Sequence, residues 1–249
     1  MSSTTQNRPA KAGFTFAAIH PYIDTNIILP TEKYVSHKDL MEWGAKNSYP
    51  DYLLDLYNNV PTLRAIINGN IDFITGDDVS ILPLNESLPD GMMNNRGDHI
   101  RDQIKDISHD YEVYGGFALQ VIRKLAGEVA EVYYIDMRYL RTNKEGNVFY
   151  YCEDWTKSVR KDVIVYPAFM PNLNWDARDD EARNRNASSI LYVKNVRTQV
   201  YPAPLYAASV KACEIERLID EFHLSDINNH FVSSAIINFN NGIPDDEVK

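Results

Sequence analysis

Residues 98–122 read DHIRDQIKDISHDYEVYGGFALQVI, and a change of period inside this stretch sets the fold class. Ile100, Ile104, Ile107, Tyr111 and Tyr114 recur every three to four residues, the spacing of one helical face, with Asp98 placed to cap it. Gly115-Gly116 then ends the helix, and 117–122 is a β-rich run. A second such run, 129–135, follows across 124–127, which predicts a hairpin.

Outward from this step the same alternation continues. Towards the C-terminus, a turn at 143–146 introduces a strand at 147–152, and further strands are expected at 163–166 and 190–193 around an exposed loop, 172–186. Residues 205–231 contain no Pro or Gly and predict one long helix with Ile215, Leu218, Ile219 and Phe222 on one side. A strand at 233–239 and a turn at 240–242 come last, with no return strand after them, as in a truncated segment. Towards the N-terminus, 52–76 reads as a helix in two pieces, the second opened by Pro61 and closed by Gly76, with Leu63, Ile66, Ile67, Ile71 and Ile74 as its apolar stripe. Residues 83–97 read as a polar loop, 14–29 as extended chain and 1–13 as a polar tail. The expected class is α+β, with helices on a small mixed or antiparallel sheet. The expected segments are 1–50 (tail and extended arm), 51–203 (α+β domain), 204–231 (long helix) and 232–249 (final segment).

Composition narrows the chemistry. The chain has 25 Lys+Arg against 35 Asp+Glu, a net charge of −10, which disfavours tight, sequence-independent binding to a nucleic-acid backbone. No apolar run approaches the ~18 residues of a membrane span, and the first residues carry no secretory pattern. Cys152 and Cys213 form neither a CxxC pair nor a disulfide framework, as expected of a reducing compartment. P-loop, GxGxxG, HExxH and GxSxG patterns are all missing, so no cofactor, metal or catalytic residue is predicted. His99 and His109 stand ten apart, off any shared ligand face, while His223 and His230 stand seven apart on the long helix. The remaining enzyme signal is acidic. Asp77-Asp78 and Asp179-Asp180-Glu181 are the carboxylates a metal-dependent phosphodiesterase or nuclease would use, and this is the alternative function. Lys157, Arg160 and Lys161 form the denser basic cluster, suited to a weak contact with DNA or a partner.

The order of segments resembles the portal proteins of tailed bacteriophages and prophages. NNVPTLRAIINGNIDFITG at 58–76 is similar to the family's first wing helix, and YEVYGGFALQVI at 111–122 to the helix-to-strand step after it. EVYYIDMRYLR at 131–141 and YYCEDW at 150–155 match the style of portals from phages of gut Bacteroides-like bacteria. YPAPLY at 201–206, the segment 216–229 and SAIINFNNGIP at 234–244 complete the order. The resemblance covers roughly residues 50–245 and implies a wing, then a stem helix, then the first clip strand, in a family whose chains are much longer. It implies a structural subunit without catalysis of its own, in a homo-oligomeric ring, commonly a dodecamer, at the capsid vertex of the virion. Double-stranded DNA passes through such a ring without sequence-specific binding. Its implied partners are the terminase large subunit, a head–tail adaptor and the major capsid or scaffold protein, with no membrane. Ile215, Leu218, Ile219 and Phe222 are then expected at the subunit interface.

Overall fold

In the computed structural model, the residues described are 13–18, 27–76, 94, 96–155, 163–171, 186–228 and 235–240. The class is α+β, with four α-helices and small antiparallel sheets among these residues. The chain divides into two compact units, residues 27–217 and the paired segments 1–26 and 218–249.

Strand β1 (Gly13–Ala18) belongs to the second of these units. The larger unit begins with a hairpin of β2 (Glu32–Val35) and β3 (Leu40–Trp43), followed by helices α1 (Tyr49–Asn59) and α2 (Pro61–Thr75). Residues 27–50 therefore do not stand apart as an arm. Leu40, Met41 and Trp43 are buried in the same unit as the helices. The pattern was hard to read because the backbone there relies on left-handed residues, Asp39, Gly44, Lys46 and Asn47.

Helix α1 starts at Tyr49, with Pro50 in its first turn, where a missing N–H costs nothing. In α2 the residues Leu63, Ile67 and Ile71 are buried, each contributing about 1.5–3 kcal/mol. Ile66 and Ile74, counted with that stripe in the sequence, are more than half exposed. Helix α3 (Ile100–Tyr114) is capped by His99, whose ring accepts from the Arg101 N–H, one residue later than the expected Asp98. Asp98 instead donates its own N–H to the Asn94 side chain.

Gly115 takes a left-handed φ of 85° and ends α3, while Gly116 already opens β4 (Gly116–Arg123). β4 is the centre of a three-stranded sheet between β5 (Val129–Ile135), its hairpin partner as predicted, and a later strand. A second three-stranded sheet is built from β6 (Leu140–Thr142), β7 (Val148–Tyr151) and β8 (Ile164–Pro167). β9 (Ser188–Lys194) is the other neighbour of β4, and a bridge from Ala168 to Ile190 links the end of β8 to it.

A turn of 3-10 helix at Ala207–Ser209 precedes α4 (Val210–Asn228), so the long helix begins five residues later than expected. Pro202 and Pro204 hold the approach in turns, with the Ala207 N–H donating to the Pro204 carbonyl. Strand β10 (Ala235–Asn240) pairs antiparallel with β1 from Gly13↔Asn240 to Ala18↔Ala235. The last strand thus finds its partner at the other end of the chain rather than in a following hairpin.

Aromatic residues organise the core of the larger unit. Trp43 stacks on Tyr201 with centroids 4.6 Å apart, and the Tyr201 hydroxyl donates to the Met41 carbonyl. Arg141 is buried, and no carboxylate among the described residues pairs with it. Its Nε donates to Asn47 Oδ1, Nη2 to the Asn47 carbonyl, and Nη1 to the carbonyls of Arg138 and Leu140.

Candidate functional site

Helix α4 has two faces. One is fixed to the larger unit through Val210, Cys213 and Glu214, all buried. The Glu214 carboxylate accepts a 2.6 Å bond from Arg217 Nη2 and a longer one, 3.5 Å, from the Tyr52 hydroxyl of α1. Burial, reinforced by that carboxylate, pushes the Tyr52 phenol up to about 12. Two residues on, Glu216 Oε1 accepts from Thr62 Oγ1 at 2.7 Å and from the Thr62 N–H at 3.3 Å. It thereby satisfies an orphan donor at the N-terminus of α2, where negative charge is favourable.

The other face is apolar. At about 100° per residue, Ile215, Leu218, Ile219 and Phe222 fall within a stripe opposite Val210 and Cys213. Ile215 is 58% exposed, Ile219 49% and Phe222 40%, and Leu218 is half-buried. The stripe read from the sequence is therefore brought together on one surface. Leu224 and Ile227 are exposed further along. By the same spacing Lys211 and Asp226 fall within the stripe's own arc, and Glu216, Arg217, Asp220 and Glu221 lie towards the anchored side.

Helix α2 offers a second uncovered surface, which the sequence reading missed. Outside its buried stripe, Ala65, Ile66, Gly69, Phe73 and Ile74 are exposed, together with the polar Thr62, Asn68 and Asn70 and the charged Arg64 and Asp72. Phe73 is 90% exposed. A Cβ built on Gly69 would meet nothing within 4 Å, so no contact with the described residues explains a glycine in mid-helix.

The polar clusters elsewhere are structural in their bonding. Asp110, on α3, is buried; its Oδ2 accepts from the Met137 N–H at 3.0 Å, and its Oδ1 lies 3.5 Å from His109 Nδ1. Burial pushes this carboxyl up to about 6, against the opposing hydrogen bond from His109. The Cys213 thiol is raised by burial and then by the Glu216 charge, which leaves it a poor nucleophile. Between α2 and α3 runs an open cleft lined by Asp72, Phe73, Arg101, Asp102 and Lys105.

Lys157, Arg160 and Lys161, and the carboxylates Asp77, Asp78, Asp179, Asp180 and Glu181, lie outside the described residues, as does His230. His223 is exposed on α4 beside Phe222. Among the described residues no three His, Cys, Asp or Glu side chains gather as metal ligands, and no helix is long and apolar enough to cross a membrane. No protein-family model matches the chain, and no curated protein matches it in sequence.

Proposed function

We propose that this chain is a structural subunit of a tailed-phage portal, a homo-oligomeric ring at the capsid vertex through which double-stranded DNA is packaged and ejected. In this reading 51–203 is wing, α4 is stem and β10 opens the clip. The subunit performs no catalysis, and ATP hydrolysis belongs to the terminase that docks on the ring, as the head–tail adaptor later does. The observation that carries the reading is α4 itself: one face is anchored by Glu214 and Glu216, and the opposite face is an uncovered apolar stripe. A stripe of that kind is what a closed ring of identical subunits covers. The order of segments from 58 to 244 adds the family resemblance, and a net charge of −10 suits a conduit that DNA slides through without sticking.

Negative-stain electron microscopy of the purified protein, over a series of concentrations, tests the proposal. Rings with a central hole are the expected result, and their symmetry gives the subunit number. A monomer at every concentration overturns it.

A further inference from the structure

We infer that the cleft between the β2–β3 turn and the face of the second sheet that carries Tyr150 binds a small organic anion with a flat apolar body, an aromatic carboxylate or sulfonate. The cleft lies within residues 27–217 of a single chain, so it stands apart from the ring reading. It measures about 570 Å³, the size of a small-molecule pocket. Its floor is hydrocarbon. Tyr150 of β7 and Val165 of β8 are paired in register, so their side chains stand on one face of the sheet, and Leu40 and Val163 complete the lining there. Val165 is 58% exposed. Trp155 offers the cleft its ring alone, because its indole N–H is spent on the Tyr139 carbonyl at 3.0 Å.

The polar groups decide the charge of the ligand. His37 and Lys38 line the cleft from the turn, and their side chains form no hydrogen bond or ion pair with any described residue. Asp39, the one carboxylate among the described lining residues, is already engaged. The Tyr34 hydroxyl donates to its Oδ1 at 2.9 Å, and Tyr150 is a further hydrogen-bond partner, which ties the turn to β7 and forms the cleft before a ligand arrives. A cationic ligand is disfavoured at the indole, because the buried Arg141 guanidinium already sits 5.2 Å from the ring centroid. A neutral ligand would leave Lys38 unused. An anion takes the Lys38 ammonium, with His37 and the Ser36 hydroxyl as further donors, while its flat body lies on Trp155 and Val165.

Titration of the whole chain with 8-anilinonaphthalene-1-sulfonate, and in parallel with its uncharged analogue N-phenyl-1-naphthylamine, tests the assignment. At about 0.15 M salt the chain's net charge of −10 is screened beyond about 8 Å, so the comparison reads local groups. The expected result is saturable binding of the sulfonate at a single site, weakened about three- to fivefold by Lys38→Gln, with the uncharged probe unaffected by that change. Val165→Glu, at an exposed strand position, is expected to remove both probes from the site while the circular dichroism melt is kept. Sulfonate binding that Lys38→Gln does not weaken, or that Val165→Glu leaves in place, puts the probe on another surface and overturns the inference. Equal weakening of both probes by Lys38→Gln, or no saturable binding at all, overturns it as well.

Discussion

Asp110 ionises against its surroundings, and this makes part of the protein's stability depend on pH. Its carboxyl is raised from 3.8 to about 6 by burial, with Asp136 adding to the rise and with His109, the Met137 N–H and Tyr134 opposing it. An acid raised in the folded state contributes stability that is full below the unfolded value and lost as pH climbs through the folded one. Stability should therefore rise as pH falls from 7 through 6 towards 4, by roughly 3 kcal/mol in all from this group. Asp110→Asn keeps an acceptor for the Met137 N–H and removes the charge, so its urea midpoint should lose that part of the pH slope. Equal slopes in the two proteins would show that the carboxyl is not desolvated. Arg141 makes a different demand. Its guanidinium spans four acceptors on Asn47, Arg138 and Leu140, a fork that an ammonium cannot reproduce. Arg141→Lys should destabilise the fold by about 2–3 kcal/mol, read as a shift in the denaturation midpoint.

Helix ends and helix faces decide the elements. At the end of α3, Gly115 has a φ of 85°, and a Cβ there would sit 1.9 Å from the Ala203 carbonyl oxygen. Gly115→Ala should cost about 2–4 kcal/mol, since both the backbone and the 195–203 segment must move. This Gly-Gly step was legible in the sequence because a helical period and a β-rich run meet at it. The same holds for Pro61 and Gly76 around α2 and for the β4–β5 hairpin, all local signals. By contrast, β6 and the β2–β3 hairpin are strands of three or four residues whose register depends on left-handed turns, and the partner of β10 lies more than two hundred residues away in β1. The α4 stripe was legible because it alternates with charged residues. The outer face of α2 was not, because Ile66 and Ile74 stand at helical spacing beside Leu63, Ile67 and Ile71 and read as core. Ile219→Asp separates the two kinds of face. At 49% exposure it should leave the denaturation midpoint within about 0.5 kcal/mol and lower self-association in sedimentation velocity. Unfolding of the variant would assign the stripe to the chain's own core.

At the scale of the whole molecule, the proposed portal role makes charge decide how DNA would be met. A net of −10 opposes accumulation of duplex DNA on the subunit, because release of condensed counterions needs clustered cations to replace them. Lys157, Arg160 and Lys161 are the densest basic cluster in the sequence, and they are already counted in that net charge. Any contact they make should be electrostatic and independent of sequence, and three phosphates neutralised would give a slope of log K against log salt of about −3. The expected outcome in a gel-shift titration is weak retention of duplex DNA at low salt, gone by about 0.15 M, and abolished at low salt when the three residues are changed to Gln. Such behaviour fits a wall that DNA touches and leaves. Retention that survives physiological salt, or that prefers one DNA sequence, would mean that the protein holds DNA rather than conducting it. A passive conduit gains nothing from affinity, because every contact made with the moving duplex must be broken again for the next stretch to pass.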